Sequence, residues 1–137
     1  MKDFKYQIYG REEFDRSVNQ IAQSNHKAKL AGIPGNVSGE DWILLKRKYL
    51  NQCVRCRRNE VDFPILFKEK YQDGQYDFLT VDHIIPLSDP RCTNTVENIQ
   101  PLCMGCQGKK GVKETNYKVR FFDPTLATII SDEDDDQ

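Results

Sequence analysis

The sequence predicts an α+β protein in which a helical segment is followed by a small unit of short strands and a short helix, pinned by a zinc site. Three observations carry this reading. Apolar residues recur at helical spacing between residues 11 and 49, they alternate from Phe63 to Val81, and two Cys-x-x-Cys pairs frame the alternating stretch. The chain then divides into a helical extension at 1–50, a stapled unit at 51–122 and an acidic tail at 123–137.

The first helix is expected over 11–31, where Phe14, Val18, Ile21 and Ala22 share a spacing of three to four. Acids at its start and Lys27 and Lys29 near its end suit the helix dipole. Gly32, Pro34 and Gly35 break the pattern. Ser38, with Asp41 three residues on, resembles a capping box and opens a second helix with Trp42, Leu45 and Tyr49 on one face. Trp42 is read as core. Lys46, Arg47 and Lys48 make the other face positive, either toward a nucleic-acid backbone or simply toward solvent. Phe63–Val81 reads as a β-hairpin turning at Asp73-Gly74. Pro90–Asn98 is loop, and Asn98–Cys103 is short and extended. Met104–Val112 opens a helix that its three glycines disfavour, so anchoring must hold it. Tyr117–Phe122 is expected to be extended, and the tail after Asp123-Pro124 disordered. His26, among polar residues, reads as a surface side chain.

Composition bounds the function. The chain has 137 residues, 38% hydrophobic and 30% charged, enough for one modest core that a metal would help. No apolar run nears the roughly 20 residues of a membrane span, and MKDFKYQIYG holds no signal-like apolar stretch, so an intracellular protein is expected. The net charge is −1, but five of the 21 acids are Asp132, Glu133, Asp134, Asp135 and Asp136. The 131 residues before them therefore carry 20 Lys and Arg against 16 acids, a net of +4 that points to nucleic acid or to ordinary solubility.

Five cysteines, an odd number, fit a secreted disulfide framework poorly. Cys53 and Cys56 form one pair and Cys103 and Cys106 another, 46 residues apart. Together they supply the four thiolates of a structural Zn²⁺; independent redox pairs are the alternative. Arg55, Arg57, Arg58, Lys109 and Lys110 favour ionised sulfur. Cys92 has no partner and reads as a free thiol.

Between the pairs stands Leu79-Thr-Val-Asp-His-Ile-Ile-Pro-Leu-Ser88. Successive strand residues face opposite sides, so Asp82 and His83 share a site only if the strand ends or bends there. The dipeptide alone fits a surface Asp-His pair as well as a general base beside a metal ligand.

The string V-D-H-I-I-P-L-S, then N-x-x-x-N-I-Q-P-L-C-x-x-C-x-x-K-K-G, with the upstream C-x-x-C, closely resembles the HNH (His-Asn-His) endonuclease family. The resemblance runs from about Cys53 to Gly111, with a weaker echo around Gly-Ile-Pro-Gly and Trp42. It implies a ββα-metal fold in an HNH nuclease domain at 51–122, and a metal-dependent endonuclease acting on DNA, double-stranded DNA first. It further implies that His83 is the general base, Asp82 a ligand of a catalytic divalent cation (Mg²⁺ or Mn²⁺), and Asn98 the amide that orients the loop. The family's third motif residue, His or Asn, follows the last cysteine; here it is Gln107, an oxygen donor one methylene longer than Asn. Lys109, Lys110 and Lys113 are then placed to hold backbone phosphates, a solvated helix face being the plainer account. Family members of this size occur in phages and bacteria, some as homing or restriction enzymes and some beside packaging genes, so a phage protein partner fits too. A zinc-knuckle DNA-binding module without strong catalysis is the rival reading.

Overall fold

The computed structural model describes residues 2–60 and 79–123. Its elements are helices α1 (Lys2–Tyr9), α2 (Arg11–Leu30) and α3 (Gly39–Lys48), strand β1 (Leu79–His83), a 3₁₀ turn at Val96–Asn98, strand β2 (Ile99–Cys103), and helices α4 (Met104–Lys110) and α5 (Lys118–Phe121). The first strand of the expected hairpin and its Asp73-Gly74 turn lie outside the described residues, as does the acidic tail from 124 onward. No helix among the described residues is long and apolar enough to cross a membrane.

α1 was not expected. It ends where Gly10 takes φ 85°, and it is held to α3 by Lys5, whose Nζ donates to Glu40 at 2.8 Å, and by a Tyr9 hydroxyl bond to the same carboxylate. α2 starts on Glu12 and Glu13 and ends on Lys27 and Lys29. Its buried face is Ser17, Ile21, Ser24 and Ala28, rotated from the expected stripe, and Ala22 is exposed. The start of α3 comes very close to α2: a Cβ at Gly39 would lie 2.6 Å from Val18 Cγ2.

Ser38 caps α3, its Oγ accepting from Asp41 N–H at 3.0 Å. Trp42, Leu45 and Tyr49 are buried as their spacing predicts, and Trp42 Nε1 donates to Gln20 at 3.1 Å. Lys46 departs from the positive outer face. It is fully buried, donating to Ser17 Oγ at 3.0 Å and to Glu60 at 3.1 Å. Burial lowers its pKa, and Glu60 works against that shift. Glu60 also takes Arg16 at 3.3 Å and the Leu79 N–H at 3.1 Å, so one carboxylate fastens α2, α3 and the start of β1.

β1 and β2 are antiparallel, with Leu79 opposite Cys103, Asp82 opposite Gln100 and His83 opposite Ile99. α4 follows β2 directly, giving the ββα order. The core runs through the whole described chain: Ile21, Val37, Trp42, Leu45, Tyr49, Val54, Leu79, Ile99, Leu102, Tyr117 and Phe121 form one cluster. The expected extended segment at Tyr117–Phe122 is instead the single helical turn α5. Tyr117 and Phe121, four residues apart, both point inward, and Gln100 Oε1 accepts the Tyr117 N–H at 2.9 Å.

Candidate metal centre and nuclease cleft

The two cysteine pairs meet. Cys53 and Cys56 follow α3 in a tight knuckle in which Cys53 N–H donates to Arg58 O and Arg57 N–H to Cys53 O. Cys103 ends β2 and Cys106 lies on α4. The four sulfurs all lie within 4.8 Å of one another, and Cys56 and Cys103 are 3.7 Å apart. A tetrahedron with Zn–S near 2.3 Å has edges of about 3.8 Å, so this donor set can hold a structural metal such as zinc. Hydrogen bonds among the sulfurs push the pKa values of Cys56 and Cys103 down and those of Cys53 and Cys106 up. Arg55 Nη1, 3.3 Å from Cys106 Sγ, favours the thiolate.

A cleft of about 580 Å³ opens beside this knuckle. Asp82, His83 and Gln107 line one side, α2 the other through Gln20, Gln23, Ser24 and Lys27, and Pro86, Leu87 and Ser88 border it. β1 stops at His83, where the chain bends: Ile84 N–H donates to Asn98 O at 2.8 Å. Neighbouring Asp82 and His83 both line the one cavity, as do Thr80 and Val81 before them.

Asp82 is buried. Its Oδ2 accepts from Gln100 Nε2 at 2.9 Å and from Lys110 Nζ at 3.2 Å. Burial raises its pKa, while Gln100 and Lys110 oppose the rise. His83 Nε2 lies 2.9 Å from Asn94 Oδ1. Asn98 Oδ1 accepts from Ile85 N–H at 3.0 Å, and its Nδ2 donates to Thr93 O at 2.8 Å and approaches Cys92 Sγ at 3.5 Å. Cys92 is a free thiol as read from the sequence, but it is buried and Asn98 touches it; burial raises its pKa.

Gln107 Oε1 accepts from Thr80 Oγ1 at 2.5 Å, and its Nε2 donates to Val81 O at 3.4 Å. Among the three lysines, Lys109 is exposed and Lys113 half-buried. Lys110 is turned inward: its ammonium, fully buried, also donates to His83 O at 3.1 Å. It therefore braces the β1 end from within, its ammonium turned away from solvent. His26 is exposed. The α2 wall was not found from sequence, and Asn94, the first Asn of the quoted N-x-x-x-N string, was given no role. Asn25 and Asn94 stand 69 positions apart, and nothing local marks them as neighbours.

Residues 53–113 match the family described as HNH endonuclease. No curated protein matches the chain. With the ββα order, the cysteine cluster and the cleft, residues 53–113 are an HNH domain, and such a domain implies a nuclease or DNA-binding role.

Proposed function

We propose that the protein is a metal-dependent HNH endonuclease that hydrolyses phosphodiester bonds in double-stranded DNA. The observation that supports this best is the cleft itself: a carboxylate, an imidazole and an amide border one cavity of about 580 Å³ beside the cysteine cluster. His83 accepts a proton from water, which attacks phosphorus in line, leaving 5′-phosphate and 3′-hydroxyl ends. Asn98 holds the loop that follows the base. Lys109 and Lys113, with Lys27 across the cleft, are the cations for backbone phosphates. Lys110 acts from within, steadying Asp82 and the His83 carbonyl.

Asp82 and Gln107 would hold the catalytic cation. Their oxygens suit Mg²⁺ or Mn²⁺, hard ions that keep much of their water shell. When bound, the ion neutralises charge on the leaving and non-bridging oxygens. The donor set fits on one further point. Thr80 Oγ1 has one proton and two acceptors, Leu102 O at 2.7 Å and Gln107 Oε1 at 2.5 Å. One proton cannot serve both acceptors, so the Gln107 oxygen keeps lone-pair capacity that a hard cation would fill. The four-cysteine site is read as structural Zn²⁺, and a phage or bacterial setting follows the family resemblance.

The second reading, an accessory DNA-binding module, draws on Gln107 in place of His or Asn and on Lys110 against Asp82. Plasmid relaxation with Mg²⁺, Mn²⁺, Ni²⁺ or EDTA separates the two. Nicking with a divalent ion and none in EDTA supports the enzyme; retarded plasmid left uncut under every ion supports the module.

A further inference from the structure

A peptide N–H can only donate and a peptide carbonyl can only accept, so a hydrogen-bond chain anchored on backbone has a defined polarity. Such a chain runs from the loop before α3 to His83. Val37 N–H donates to Asn25 Oδ1 at 3.1 Å, and Val37 O accepts from Asn25 Nδ2 at 2.8 Å. These two bonds fix which end of the Asn25 amide is oxygen. The group of Asn94 lying 2.7 Å from that oxygen must be its NH₂. Asn94 then turns its carbonyl oxygen to His83 Nε2, 2.9 Å away. An oxygen that only accepts requires N–H on the ring atom it faces. The proton of the neutral imidazole thus belongs on Nε2, and Nδ1 keeps its lone pair.

The seat of Asn94 is built for this. Its side chain is fully buried, and its own N–H donates to Pro34 O at 2.8 Å. Gly35, at φ 111°, lies against it so closely that a Cβ there would sit 2.4 Å from Asn94 O. The Gly-Ile-Pro-Gly turn is thereby shaped around one residue of the cleft loop. Asn25, Gly35 and Val37 all lie outside the 53–113 segment.

We propose that Asn94 and Asn25 are positioning residues that set the tautomer and orientation of His83, so that α2 and the Gly-Ile-Pro-Gly turn complete the HNH site. The catalytic meaning rests on the nuclease reading of His83; the tautomer does not. The general base must present an unprotonated nitrogen to water at a fixed angle, and a ring free to flip or tautomerise loses that geometry.

The test is two-bond ¹H–¹⁵N NMR of the imidazoles in the full-length, zinc-loaded protein at mildly alkaline pH. The chain has two histidines, and exposed His26 serves as the internal reference. The native spectrum should show His83 as a single form protonated on Nε2. Asn25→Ala should move it toward the tautomer mixture of His26 and lower nicking roughly 10-fold. Asn25→Asp, whose carboxylate still accepts from the Asn94 amide, should keep the Nε2–H form, and its loss there would overturn the relay. A native His83 protonated on Nδ1, or mixed, overturns the proposal, as does an unchanged His83 pattern in Asn25→Ala. Native protein that cuts nothing under any metal would instead remove the nuclease reading, and the spectra would still decide the tautomer. Should Asn25→Ala fail to fold, the native spectrum remains sufficient to overturn the claim.

Discussion

Asn98 spends its whole amide on the loop that follows the histidine, binding Ile85 N–H on one side and Thr93 O on the other. Replacing it with Ala leaves part-buried backbone groups of Ile85 and Thr93 without these bonds. We expect Asn98→Ala to lose about 2–3 kcal/mol in urea denaturation with zinc content unchanged. Asp82, His83 and Asn98 were singled out by the family string and not by local chemistry, since Asp82-His83 alone fits a surface pair as well. Lys110 could not be sorted from Lys109 in that way. Both follow the same knuckle, and only the end of β1, 27 positions away from Lys110, makes one of them a buried partner. Gln107 carries a similar lesson: its type was legible, but its hold on Thr80 depends on strand register. Removing its amide in Gln107→Ala should lower nicking about 10- to 100-fold, measured as initial rates at saturating Mg²⁺.

At the scale of elements, α3 was readable because its cap and its apolar stripe are both local signals, Ser38 to Asp41 and Trp42 to Tyr49. The turn α5 was not, because a short apolar run fits alternation and an i, i+4 pair equally until Gln100 claims the Tyr117 N–H. Nor was the role of α2 legible. Its buried serines look polar in sequence, yet Ser17 receives Lys46, while Ser24 is buried, borders the cleft and has an Oγ with no hydrogen-bond partner among the described residues. Glu60 is the joint among these elements. Glu60→Ala would strand the ammonium of Lys46 in the interior, and we expect a loss of about 3–5 kcal/mol by thermal or urea unfolding. Lys46→Met removes that charge together with its need for a partner and should cost less.

Across the described residues, α2 and α3 share one core with the 53–113 segment, and α2 lines the cleft. A metal held by the four cysteines would join the knuckle after α3 to the end of β2 and to α4, and so close the structure around β1 and β2. Metal analysis should find one zinc per chain, and a strong chelator should lower Tm sharply and abolish cooperative unfolding. Retention of the native fold without metal would reject the structural role. The two cysteine pairs announced this joint from spacing alone, whereas the Asn25–Asn94 link rests on a long-range approach that no spacing encodes. The central claim is that His83 is the base of a DNA-cutting cleft. Its most direct test is plasmid nicking by native protein and His83→Ala, compared at concentrations giving equal DNA occupancy in fluorescence anisotropy. The account predicts nicked circles from the native chain with Mg²⁺ or Mn²⁺ and a loss of at least about 100-fold in the variant; equal nicking by both would contradict it.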